Sequence, residues 1–155
     1  MNIGIADKNR KAVAGILNRI LADEYVLYTK TRNYHWNVTG PDFSELHKFF
    51  EAQYEELDEI IDETAERARS LGSDSFGSLK EFLAATRLKE KPGERPASKK
   101  MIANLLTDHE EVIRQLREDL EAAAETYHDM GTSDFLTGLM EQHEKMAWML
   151  RSYSG

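Results

Sequence analysis

The sequence contains no cysteine among its 155 residues, which excludes disulfides, thiolate nucleophiles and cysteine-based zinc sites. The side chain that peroxide oxidises most readily is therefore also missing. Prolines number three, and no apolar run approaches the roughly 18 residues that mark a membrane-spanning helix. The opening stretch, Met-Asn-Ile-Gly-Ile-Ala-Asp, lacks the basic flank and apolar segment of a secretory signal, so the expected location is the cytoplasm. There is no glycine-rich phosphate loop, no internal repeat, no low-complexity segment and no β-strand signal. Positive charge is in deficit: 20 basic residues face 28 acidic ones, a net charge of −8. Such a field attracts cations and repels a nucleic-acid backbone. Apolar content of 41% is ordinary for a globular chain, and the length leads us to expect one domain over 1–155.

The deficit is sharpest between Phe49 and Glu66, where eight acidic residues occur without a single lysine or arginine. On a helical wheel His47, Glu51, Glu55, Asp58, Glu59, Asp62 and Glu66 fall within an arc of roughly 120°. Phe43, Leu46, Phe50, Leu57, Ile60, Ile61 and Ala68 take the opposite arc, the expected core side. A solvated acidic face is the bland reading of such a charge run. Against it stand two pairs at i, i+4, His47 with Glu51 and Asp62 with Glu66, each placing two ligands side by side on the helix. His35 lies just upstream, and imidazole with carboxylate suits iron, manganese or zinc. Glu51 and Asp62 are eleven residues apart, about 16 Å along a helix axis, against metal–ligand bonds of about 2 Å. The pairs therefore belong to different half-sites. A second copy of the helix, antiparallel across a two-fold axis near Glu56 and Leu57, sets His47 by the other copy's Glu66 and Glu51 by its Asp62. An isologous dimer then contains two equivalent sites.

The rest of the chain reads as helices. The first spans Asp7 to Asn37, with Asp7 as N-cap and Val13, Ile16, Leu17, Ile20, Leu21 and Leu27 at core spacing. Asp42 and Glu45 form a capping-box pattern for the second, which runs to about Leu71 and stops at Gly72. Ser78 and Glu81 repeat that pattern before a two-turn helix. Residues Arg87 to Lys100 hold six basic and two acidic side chains with Pro92, Gly93 and Pro96, and read as a loop. Ser98 caps a third long helix ending at Gly131, and a fourth starts at Thr132 or Ser133. The tail, Arg151-Ser-Tyr-Ser-Gly, is too short for a functional arm. The expected architecture is all-α, an antiparallel four-helix bundle with a short extra helix in the long crossover between the second and third long helices. Glu125-x-x-His128 is the one Glu-x-x-His pair and reads as a surface group; His109 and His143 carry no persuasive ligand spacing.

The run His35-Trp36-Asn37, then Gly40-x-x-Phe43, Leu46-His47, Glu51 and Asp62-Glu-x-x-Glu66-Arg67 resembles the Dps family of mini-ferritins over nearly the whole chain. The resemblance implies a ferritin-like bundle in which His35, His47, Glu51, Asp62 and Glu66 build a ferroxidase centre between two subunits. Glu51 stands where the family often has Asp, one methylene shorter. The further implications are a hollow dodecamer of two-fold dimers, Fe(II) oxidised with hydrogen peroxide in preference to dioxygen, and Fe(III) stored as mineral, which protects against oxidative damage. Zinc or manganese are possible substitute metals. Trp36 is a possible electron donor, Asp134 with Glu141 a three-fold entry pore, and Arg67 with Glu144 an interface pair. The alternative is a DNA-compacting protein. Family members that bind DNA commonly use a lysine-rich tail, and here the N-terminus offers only Lys8, Arg10 and Lys11.

Overall fold

The computed structural model describes residues 1–153. Its elements are α1 (Asp7–Asn37), α2 (Phe43–Ser70), the short α3 (Leu79–Ala85), α4 (Ser98–Glu121) and α5 (Met130–Ser152), with a π-helical turn at Ala122–Thr126 extending α4. Helix α1 packs along α2, α4 along α5, and α3 lies against α1. The four long helices enclose one core in which Leu17, Leu27, Phe50, Leu57, Leu105 and Leu136 are fully buried. Ser154 and Gly155, the end of the short tail, lie outside the described residues.

The stop at Gly72 is a Schellman motif. The Ser73 amide donates to the Ala68 carbonyl at 3.3 Å, and the Gly72 amide to the Arg69 carbonyl at 2.9 Å. Gly72 sits at φ +82° with the Arg10 guanidinium 3.1 Å from where a Cβ would stand, so both conformation and space select glycine. Arg10 fills that space because it donates to the Leu71 carbonyl at 2.7 Å. At α3 the capping box forms as expected: Glu81 N donates to Ser78 Oγ at 3.3 Å, and Glu81 Oε2 accepts from the amides of Ser78 and Gly77 at 2.9 and 3.1 Å. These donors hold the Glu81 carboxyl below its ordinary pKa.

Several local expectations need correction. Asp42 is nearly helical at φ −92°, ψ 14°, and its side chain caps nothing; a capping residue must be extended for its oxygen to reach back. Glu45 instead accepts from the Tyr153 hydroxyl at 3.1 Å. Ala6 and Ala97, both extended, flank α1 and α4, so Asp7 and Ser98 are first-turn residues and not caps. Phe43, placed in the core by the wheel, is 45% exposed at the start of α2 and leans on the His47 ring. Gly131 does not end α4. The corner is turned by His128 at φ 57°, and α5 begins at Met130 with Asp129 as N-cap, accepting from the Thr132 amide at 2.9 Å. Gly131 instead lies under Arg67, where a Cβ would stand 3.0 Å from the guanidinium and press on it.

The basic crossover is more tied down than its composition implies. Arg87 donates through Nε to Asp23 at 2.7 Å and through NH1 to Asp119 at 3.1 Å, joining the end of α3 to α1 and α4. Lys30 pairs with Asp108 at 2.5 Å and donates to the Lys89 carbonyl at 2.8 Å. Lys89, Lys91, Arg95, Lys99 and Lys100 stay exposed.

Candidate metal centre

Helix α1 ends on His35 and Trp36, and the short return through Val38 to Asp42 starts α2 so that His47 comes back beside them. The two imidazoles stack with centroids 3.8 Å apart and planes 20° apart. Nδ1 of His35 meets the His47 carbonyl at 2.7 Å, and Nδ1 of His47 meets the His35 carbonyl at 2.8 Å. A carbonyl oxygen only accepts, so each Nδ1 carries the hydrogen and each Nε2 is left to act as a lone-pair donor. This is the orienting bond that a metal-binding histidine needs from its surroundings. Glu51 lies one helical turn beyond His47, and the Tyr54 hydroxyl donates to its Oε1 at 3.4 Å. Burial, then the neighbouring Glu51 carboxylate, push the Tyr54 phenol upward, which keeps it the donor in that bond.

Asp62 and Glu66 are exposed on the same face of the unbroken α2; by helical rise Asp62 stands about 16 Å beyond Glu51, and Glu66 about 28 Å beyond His47. Among the described residues no three His, Asp or Glu side chains converge closely enough to hold a cation, and Asp58, Glu59, Asp62, Glu63 and Glu66 form no ion pair. The structure brings His35 and His47 together, sets Glu51 one helical turn past His47, and leaves Asp62 and Glu66 apart from them. Beside Asp62 a concavity of about 380 Å³ separates α2 from α3, with Leu21, Ile61, Phe76 and Phe82 as its apolar lining and Asp58 and Asp62 among its acids.

Trp36 is 63% exposed, with the Arg32 guanidinium 5.1 Å from its ring. Asp134 and Glu141 are exposed on α5. Within the chain Arg67 does not meet Glu144: it donates to Thr132 Oγ1 at 3.0 Å and to Asp129 Oδ1 at 3.4 Å, while Glu144 accepts from Arg117 at 2.5 Å. Glu125 and His128 lie at the surface as expected.

His109 and His143, which carry no ligand spacing in the sequence, meet inside the core. Both are fully buried, with their Nδ1 atoms 2.9 Å apart, and His143 Nε2 stands 2.8 Å from Oε1 of the equally buried Glu24. The Glu24–His143–His109 chain crosses the bundle from α1 through α5 to α4. Burial, and then the charge of His143, hold His109 well below its ordinary pKa. Each of the three lies on a core stripe, Ile20–Glu24–Leu27, Leu105–His109–Val112 and Leu139–His143–Met146, so helical period was the signal that could have found them.

Comparison with known proteins agrees with this architecture. The ferritin-like domain model matches residues 14–155. An uncharacterized low temperature-induced protein of Nostoc sp. is 50% identical over 99% of this chain and 86% of its own length. DNA protection during starvation protein 2 of Bacillus anthracis is 38% identical over 92% of this chain and 97% of its own. The crystal structure of a Dps protein from Vibrio cholerae O1, described as one of the ferritin-like diiron-carboxylate proteins, superposes with a TM-score of 0.92 at 33% identity, covering 100% of this chain and 97% of that one. Bundle topology and these likenesses agree: the chain belongs to the Dps proteins of the ferritin-like family.

Proposed function

We propose that the protein is a ferroxidase that oxidises Fe(II) with hydrogen peroxide and stores the Fe(III) as mineral inside a hollow dodecamer, protecting the cytoplasm from oxidative damage. One observation carries the reading: two imidazoles, each held through Nδ1 by the other's carbonyl, keep Nε2 for a ligand role with Glu51 one helical turn past His47, while the acids that would complete the shell stand too far along the same helix. An antiparallel α2 from a second copy supplies them, so that His35, His47 and Glu51 of one subunit face Asp62 and Glu66 of the other. The concavity beside Asp62 gives that copy a surface to fill. Carboxylates favour the harder Fe(III) product, and the few nitrogen donors keep binding weak enough for release. Glu55, Asp58, Glu59 and Glu63 continue the acidic face and serve as mineral nucleation points. Zinc and manganese suit the same donor set and would compete for it. Stopped-flow mixing of the protein with Fe(II) and peroxide tests the reading: oxidation no faster than in buffer reduces the assembly to a metal-buffering cage.

Iron needs a hydrophilic way in, and we place it where three copies of Asp134 ring a symmetry axis. Glu141, seven residues on, lies on the same face of α5 and extends the path. Asp134→Asn is expected to slow Fe(II) uptake several-fold at low ionic strength, with the deficit shrinking as salt screens the ring. Equal uptake rates at low salt would leave Asp134 a first-turn acid and nothing more.

DNA compaction is the weaker reading. Lys8, Arg10 and Lys11 are part of α1 and not of a mobile arm, and Arg10 is 8% exposed in its contact with Leu71. Arg87 is likewise occupied. We expect no retardation of duplex DNA at about 150 mM salt, where phosphate contacts are already weak. A shift at that salt, lost on deleting residues 1–11 or neutralising Lys89, Lys91 and Arg95, would reverse the ranking.

A further inference from the structure

One face of α1 carries Tyr25, Tyr28, Arg32 and Trp36 at spacings of three and four residues, and Tyr54 of α2 meets it beside the candidate metal centre. The Arg32 guanidinium lies 4.5 Å from the Tyr54 ring centroid, 5.1 Å from that of Trp36 and 5.6 Å from that of Tyr28. Its NH1 donates to the Tyr28 hydroxyl at 2.7 Å. The Tyr54 ring stands edge-on to His35 at 5.2 Å, and its hydroxyl donates to Glu51. Tyr54 therefore touches two of the proposed ligands at once, while Tyr28 stands one ring further out, 6.0 Å from Tyr54.

Peroxide needs two electrons, and a single Fe(II) supplies one. We propose that Tyr54 supplies the second whenever only one Fe(II) occupies the site, an inference that rests on the ferroxidase reading above. In that step the O–O bond breaks, Fe(II) gives one electron, and Tyr54 gives one electron and its phenolic proton. The products are Fe(III), the neutral Tyr54 phenoxyl radical, one hydroxide and one water, and no hydroxyl radical is released. The proton joins the oxygen that leaves as water. Arg32 decides between Tyr54 and Trp36. An indole that loses an electron first becomes a cation with a guanidinium 5.1 Å from its ring, an adverse pairing of like charges. A phenol sheds its proton together with the electron and ends neutral, so Arg32 does not oppose it.

The test uses the assembled protein loaded anaerobically with one Fe(II) per site, mixed with hydrogen peroxide and freeze-quenched for electron paramagnetic resonance. Wild type should show an organic radical whose signal narrows when the protein is grown with ring-deuterated tyrosine. Tyr54→Phe, which removes one hydroxyl and whose assembly is read by size, should lose that signal and release spin-trappable hydroxyl radical. Tyr28→Phe leaves the Glu51 hydrogen bond intact and should keep the signal. A radical of equal yield in Tyr54→Phe, or one that disappears only in Tyr28→Phe, overturns the assignment. Fe(II) consumed by wild type without any tyrosyl signal overturns it alone, whereas Fe(II) that peroxide does not consume removes the ferroxidase reading and this inference with it.

Discussion

Replacing His47 or Asp62 by alanine is expected to lower peroxide-driven Fe(II) oxidation by at least about a hundredfold, since even the hydrogen-bond partners of metal ligands are commonly worth 10 to 100-fold. Assembly should survive, because His47 is half-buried and Asp62 exposed, and neither belongs to the apolar core. The two variants differ in which half-site they damage, and mixing them exploits this. In a dimer of one His47→Ala and one Asp62→Ala chain, both lesions fall in one site and the other site is native. Random exchange makes about half the dimers mixed, so about a quarter of all sites should regain activity under two-fold symmetry. Inactivity of the mixture after exchange has been shown by mass would mean that His47 and Asp62 do not serve sites shared across a two-fold axis.

The second large effect concerns stability. Glu24, His109 and His143 are all 0% exposed, and Glu24 and His143 form a pair at 2.8 Å. Removing one member of a buried pair leaves the other desolvated and alone, at a cost of about 3–5 kcal/mol. His143→Leu should therefore lower the unfolding free energy by that amount, and the double change Glu24→Leu with His143→Leu should restore part of it. Both are read by urea unfolding at one protein concentration, because assembly contributes to apparent stability. A double variant no more stable than the single would show that the carboxylate is not the source of the loss. The pH dependence has a definite sign. Since His109 is held below its ordinary value of 6.5 when folded, its contribution is fully present above that pH and is lost as pH falls through the lowered value. Thermal midpoints of wild type should decline as the pH drops below about 6.5, and His109→Phe should flatten that decline. Equal slopes in the two proteins would place the acid sensitivity elsewhere.

Both helices of the candidate metal centre are legible from spacing alone. The apolar period of α1, the glycine at position 72 and the Ser78–Glu81 box are local signals, and they are satisfied by bonds within a few residues of where they occur. His47–Glu51 and Asp62–Glu66 were legible for the same reason, since helical rise alone separates them. What could not be read depends on contacts between distant segments. The reciprocal histidine bonds need the return from α1 to α2 to place residue 47 over residue 35. The α4–α5 corner carries a glycine that reads as a stop, yet Gly131 lies inside α5 with Arg67, 64 residues earlier, against it. Ligand spacing is silent on His109 and His143, and their pairing with Glu24 follows from three core stripes that meet only in the folded bundle. Tyr54 carries no sequence signal, because what marks it is the folded placement of Arg32, His35 and Glu51 around it.

Arg67 follows Glu66 directly in the chain, and its guanidinium grips Asp129 and Thr132 where α5 begins. In the proposed route for iron, Glu66 belongs to the place of oxidation and Asp134, two residues past Thr132, to the place of entry. One side chain is thus the axle between doorway and workshop. Under that proposal a tilt of the first turn of α5 would pull on the residue next to Glu66 and so link the entry of an ion to the side chains that receive it.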